Sequence, residues 1–270
     1  MKKKRILAIA DTHCGSLAGL TPPAWQFKEN KGSNTKHNKW AKIQKELWNN
    51  YLSILEKWQP FDIGLSLGDM VEGKGKRSGG TELISSDMEE QSDMAVAVHN
   101  TARQHASKDF KWIGVYGTAY HTAPDGEDWE NIVASRAGFE KIGSHEWIDV
   151  NGVIIDMKHH IGGSTIPHGR HTAVAKDMLW NMLWADKGYA PKANILLRAH
   201  VHYHQYCGGS DWVAMTLPAL QGMGGKYGSR RCSGLVDWGA VIIDVYEDGS
   251  VDWHSDTKII DAQKASALVV

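Results

Sequence analysis

Residues 4–13, KRILAIADTH, decide the architecture. The run alternates and then turns wholly apolar through Ala10, and it stops at Asp11-Thr12-His13-Cys14-Gly15. An apolar run of that length closed by turn-forming residues reads as a buried strand feeding a loop. The basic lead-in, Lys2 to Arg5, looks like the start of a secretion signal. Only five apolar residues follow before Asp11, which is too short for a signal's apolar core.

The same design recurs along the chain. Residues 61–67 (FDIGLSL) close at Gly68-Asp69, and residues 110–116 close at Gly117-Thr118-Ala119-Tyr120-His121. Residues 153–157 lead to His159-His160, and residues 195–198 lead to Ala199-His200-Val201-His202-Tyr203-His204. Amphipathic helical stretches separate the early strands. Trp40, Ile43, Leu47, Tyr51, Leu55 and Trp58 recur at three- and four-residue steps until Pro60, and further helices are expected over 87–105, 127–137 and 172–186. Strands that alternate with helices pair in parallel, so their C-terminal loops gather at one edge of the sheet. Asn151-Gly152 joins strands 146–150 and 153–157 as a tight hairpin. A strand over 212–217 and a last hairpin, 240–246 with 251–254, complete the set. The expectation is one domain over 1–270, with long loops at 16–38, 73–80 and 222–234.

Composition narrows the function classes. With 270 residues, 42% hydrophobic and 23% charged, the chain forms a core, which excludes disordered and fibrous classes. A formal charge of −1 offers no global basic field, so any nucleic-acid affinity must be local. Mean hydropathy is −0.39 and the apolar runs are of strand length, so no membrane span is expected. Three cysteines without a C-x-x-C spacing argue against a disulfide framework or thiolate zinc site and suit the cytoplasm.

Fourteen histidines crowd the ends of the apolar runs. Any one Asp-x-His or Gly-Asp is ordinarily a cap or a turn. Five clusters, each at a strand end, bring imidazole and carboxylate together, and both suit transition metals. There is no G-x-S-x-G elbow, P-loop or dinucleotide fingerprint.

In order, Asp11-x-His13, Gly68-Asp69, Gly117 to His121, His159 and Ala199-His200-x-His202 resemble the calcineurin-like metallophosphoesterase superfamily, over roughly residues 5 to 204. The resemblance implies an α/β fold, a four-layer αββα sandwich of two mixed β-sheets flanked by helices. It implies two divalent ions, Mn, Fe or Zn: one held by Asp11, His13 and His202, the other by His159 and His200, with Asp69 bridging. It implies hydrolysis of a phosphodiester or phosphomonoester by metal-activated hydroxide, with His121 beside the leaving group as the catalytic imidazole. Two positions depart from the family. Ala199 replaces Gly. Thr118 stands where an Asn ligand is expected, and His121 comes two places late; Thr118 replaces that ligand, His121 takes it over, or the second site binds loosely. His160 is a reserve ligand, and His204 alternates to the same face as His200 and His202.

Lys74, Lys76 and Arg77 follow Gly68-Asp69, and Lys226, Arg230 and Arg231 follow the strand over 212–217. If the loops converge, these offer charge to a polyanion, which favours a nuclease or nucleotide phosphodiesterase over a protein phosphatase; solvated surface loops are the plainer reading. The rival class is a metal-binding relative without turnover.

Overall fold

The apolar runs become strands in two sheets. The computed structural model describes residues 2–30, 35–123, 126–224 and 235–268. In the first sheet β1 (Lys3–Ile9), β2 (Phe61–Ser66), β3 (Ala106–Val115) and β4 (Phe139–Gly143) run parallel in that order. The antiparallel pair β10 (Trp238–Tyr246) and β11 (Val251–Lys258) extends it beyond β1. The second sheet has the order β5 (Glu146–Val150), β6 (Val153–Met157), β7 (Ile195–Arg198), β9 (Val213–Thr216) and β8 (Gln205–Gly208). Its three central strands are parallel.

β1 shows why the layers stack as they do. Successive side chains point to opposite faces of a strand. Ile6, Ala8 and Ala10 therefore enter the core between the sheets, where Leu65, Ile155, Leu197 and Met215 meet them. Leu7 and Ile9 face outward, against α1 (Thr35–Trp58) through Ile43, Leu47 and Tyr51 and α2 (Met88–Arg103) through Met94 and Val98. Full burial of each such side chain is worth about 1.5–3 kcal/mol, so a strand covered on both faces is held firmly. α5 (Thr172–Asp186) covers the outer face of the second sheet with Val174 and Met178 on Leu196 and Ala214. The result is helix, sheet, sheet, helix: two mixed sheets flanked by helices.

Several boundaries differ from expectation. The stretch 16–38 is not loop throughout: Pro23–Trp25 forms a helical turn and α1 begins at Thr35. Its first turn, Lys36-His37-Asn38-Lys39, has no apolar residue to reveal it. Residues 16–22 are buried and laced in place, Leu17 N donating to Glu82 O (2.9 Å) and Leu20 N to Thr12 O (2.8 Å). The stretch 73–80 contains the turn Lys76–Ser78. β3 starts at Ala106, and β4 and β8 are short strands that periodicity does not reveal. Of 222–234, positions 225–234 lie outside the described residues. No helix among the described residues is long and apolar enough to cross a membrane.

Candidate metal centre

Parallel strands deliver their C-terminal loops to one edge. β1 supplies Asp11 and His13, β2 supplies Asp69, β6 supplies His159, and β7 supplies His200 and His202. β3 leads through Thr118 to a short helical turn, α3 (Ala119–Thr122), that carries His121. Backbone bonds lock the loops together: Asp11 N to Gly68 O (3.0 Å), His13 N to Asp69 O (2.9 Å) and Ala199 N to His159 O (2.9 Å).

The backbone is strained at these positions. Asp11, His13, Asp69, His200 and His202 have φ of 52°, 42°, 50°, 72° and 54°. Left-handed conformation costs a non-glycine residue on the order of 1–3 kcal/mol and persists only where its surroundings impose it. The bend turns each side chain from the strand direction into the common edge. Gly117 is required by close approach: a Cβ there would fall 2.1 Å from Asp69 N.

Three overlapping groups of donor atoms result: Asp11, His13 and His202; His13, Asp69 and His121; and Asp69, His159 and His200. His202 Nε2 lies 3.2 Å from Asp11 Oδ1 and 3.3 Å from His13 Nε2. His159 Nε2 lies 3.1 Å from Asp69 Oδ2, with His13 Nε2 at 3.8 Å and His200 Nδ1 at 4.0 Å from the same oxygen. Asp69 therefore stands between the outer two groups.

The hydrogen bonds reveal what the centre needs. His159 Nδ1 faces the carbonyl of Leu67 (2.5 Å) and His121 Nδ1 that of Glu72 (2.7 Å). A carbonyl only accepts, so each Nδ1 carries the proton and each Nε2 presents a lone pair in the neutral ring. His13 Nδ1 stands 2.9 Å from Glu72 Oε2, within ion-pair range but off the hydrogen-bond axis. Asp11 Oδ1 is buried and has no hydrogen-bond partner among the described residues. Buried acceptors thus converge on one another, and such an array is costly unless a cation or proton lies among them. The donor set of imidazole nitrogen and carboxylate oxygen is that of a transition-metal site.

Charge follows the same logic. Burial would push the Asp69 carboxyl up, but His159 holds it well below the usual carboxylate range. Burial works against the charged form of His159 as well, yet Asp69 pushes it up to about 9. Thr118 donates its N–H to Asp69 Oδ1 (2.6 Å), and its hydroxyl lies 3.2 Å from His200 Nδ1, 3.3 Å from Asp69 Oδ2 and 3.4 Å from His159 Nε2. Burial pushes His200 down to about 4, helped by the charge of His159. His121 is lowered by burial and by His13, and its ring meets that of His13 edge-on at 4.7 Å.

The remaining expected residues belong to none of the three groups. His160 is exposed, its ring 4.7 Å from that of His200, and it belongs to none of the three groups. His204 turns Nδ1 to the Thr216 carbonyl (2.8 Å) and also stands outside them. Lys74 donates to Ser86 O (3.2 Å) within its own loop, and Lys76 sits on the turn that follows. The side chain of Arg77 and all of Lys226, Arg230 and Arg231 lie outside the described residues.

Two carboxylates were not foreseen. Glu72, three residues past Asp69, reaches His13 with its side chain and His121 with its carbonyl, and Gln221 Nε2 donates to it (3.2 Å). An acid so close to a Gly-Asp strand end is the signal that sequence offers. Glu130 reads as an ordinary acid of a helix N-terminal turn, yet it is fully buried and accepts from Met70 N (2.7 Å) and Gly117 N (2.6 Å). It ties the β2 and β3 loops together; burial and the charge of Asp69 push it up to about 8.

No protein-family model matches the chain, and no curated protein does. Solved structures are similar in shape. They include a vacuolar protein sorting 29 from Cryptosporidium parvum, at 10% identity over 95% of this chain and 98% of that one, with a TM-score of 0.44. A zinc-complexed Vps29 from Entamoeba histolytica matches at 12% identity over 94% and 98%, TM-score 0.40. A novel archaeal phosphodiesterase matches at 12% identity over 93% and 99%, TM-score 0.39. Likenesses this remote say nothing of activity or partner, which must come from the geometry of the site.

Proposed function

We propose that the protein is a metal-dependent phosphoesterase that hydrolyses a phosphodiester or phosphomonoester at the edge where the two sheets meet. One observation carries the reading: carboxylate oxygens of Asp11 and Asp69 and imidazole nitrogens of His13, His159, His200 and His202 converge in overlapping groups, with Asp11 Oδ1 left without a hydrogen-bond partner among the described residues. Asp11, His13 and His202 would hold one divalent ion, His159 and His200 a second, and Asp69 would serve both. Two such ions, when bound, clamp a phosphoryl oxygen and lower the pKa of a water toward neutrality.

The chain's own groups do the rest. Glu72 fixes two imidazoles at once, orienting His13 through its carboxylate and His121 through its carbonyl. His121 Nε2 is then the atom free to hold a proton and pass it to a leaving oxygen. Thr118, in place of the expected Asn, fixes Asp69 through its N–H. Mn, Fe and Zn all suit the mixed donors.

The test is hydrolysis of a bis-aryl phosphodiester by metal-stripped protein before and after Mn²⁺ is restored. Activity that depends on the metal supports the reading, and equal activity without it overturns it. The departure at Thr118 favours a second reading, a metal-binding protein without turnover. Ion binding with no hydrolysis across diesters, monoesters and phosphoproteins would select it.

A further inference from the structure

The two helical layers treat water differently. The outer face of α1 carries Lys42, Lys45, Glu46, Asn49 and Glu56. That of α5 carries Leu179, Trp180, Leu183 and Trp184, which are 61%, 53%, 55% and 43% exposed, followed by Tyr189. The inner face of the same helix is already satisfied by Val174, Met178 and Asn181 on the second sheet. Apolar residues at i, i+1, i+4 and i+5 form a continuous stripe along a helix, so these four make one patch.

We propose that this face of α5 is an isologous interface with α5 of a second copy of the chain. Area supports a second copy. With Tyr189 just past the helix included, the five residues expose on the order of 600 Å² per copy, so two copies bury at most ~1,200 Å², the lower edge of specific interfaces. A patch of that size lies at the upper end of what monomers leave to water, and such patches are often functional. Charge supports it as well. Lys176 lies at one end of the patch and Asp186 at the other, both exposed, so an antiparallel pair sets Lys176 of each copy against Asp186 of the other. Shape completes the match: Trp180 and Trp184 also wall a cavity of about 270 Å³ over Asp156 and Arg198, so one surface offers both projections and a hollow, as twofold self-pairing demands. The rim mixes Lys176 and Lys187 with Asp177 and Asp186 and lacks the basic bias of a helix that lies on anionic lipid.

Sedimentation equilibrium and light scattering from roughly 1 to 100 μM protein test this, a range that spans micromolar association. The expected mass approaches twice 29.9 kDa. The double variant Leu179→Glu with Leu183→Glu gives the single-chain mass at every concentration while its ion binding is unchanged. Should that variant fail to fold, a charge swap at exposed positions decides instead. Lys176→Glu weakens association roughly tenfold by placing like charges together, and adding Asp186→Lys restores it. A single-chain mass throughout, a dimer indifferent to the swap, or a single chain that floats with anionic phosphatidylserine vesicles through this face each overturns the proposal. None of these readouts depends on hydrolysis.

Discussion

Two buried clusters of charge sit on the same pair of strands, β6 and β7, and follow opposite rules. Under α5, Asp156 accepts from Arg198 Nη1 (2.6 Å) and Asn181 Nδ2 (3.2 Å), with His145 Nε2 at 2.9 Å, and Arg198 Nε donates to Asp177 (2.8 Å). Donors meet acceptors, and nothing more is required. Two or three residues further along, at His159 and His200, imidazoles crowd on the Asp69 carboxylate at a spacing that suits a cation or a shared proton. The first cluster is complete as folded; the second has left-handed backbone and a carboxylate oxygen with no hydrogen-bond partner among the described residues, an arrangement that could hold a cation. Buried charge that is paired serves the fold, and buried charge arranged as a cage serves a ligand.

That contrast can be broken by substitution. Asp69→Asn removes the acceptor common to the His13–His121 and His159–His200 groups, so metal-restored hydrolysis should fall on the order of 10³-fold, measured as kcat/KM on the aryl diester. Asp156→Ala should do the reverse. It leaves the buried Arg198 guanidinium with Asp177 as its one carboxylate partner and costs about 3 kcal/mol of stability in urea unfolding, while ion affinity in the remaining folded protein holds. If Asp156→Ala instead abolished metal binding, the two clusters would not be independent.

Smaller effects sharpen the comparison. Glu72→Ala frees His13 from its carboxylate, and loss of such an orienting partner weakens metal affinity about 10- to 100-fold; calorimetric Mn²⁺ titration reads this directly. Acidity gives the mildest signature. His159 in the metal-free chain keeps its proton up to about 9, and the ion must displace it. Affinity should therefore rise about tenfold per pH unit between roughly 7 and 9 and flatten above. The metal-free fold shows the opposite trend. A raised folded-state pKa stabilises fully below the ordinary imidazole value, and that stability is lost as pH rises through about 9. Affinity indifferent to pH would remove His159 from the ligand set.

Much of this was legible in the sequence because the governing signals are local. The hairpin at Asn151-Gly152 has both turn residues left-handed, φ 53° and 82°, as that dipeptide demands. α5 and β7 begin and end where their patterns do. Asp and His at strand ends announced the centre, and the tolerance of such residues for left-handed backbone explains their fitness there. β4 and β8 were hidden because edge strands such as Phe139–Gly143 and Gln205–Gly208 stay partly exposed and carry little apolar signal. Glu130 was hidden for another reason: a buried carboxylate and a capping acid look alike until the tertiary fold brings Met70 and Gly117 to one of them.

Anomalous scattering from crystals grown with Mn²⁺ decides whether the cage of Asp and His side chains holds cations. Two peaks about 3.5–4 Å apart are expected, one against Asp11, His13 and His202, the other against His159 and His200, with Asp69 touching both. Peaks confined to surface carboxylates, with the cage bare, would contradict it.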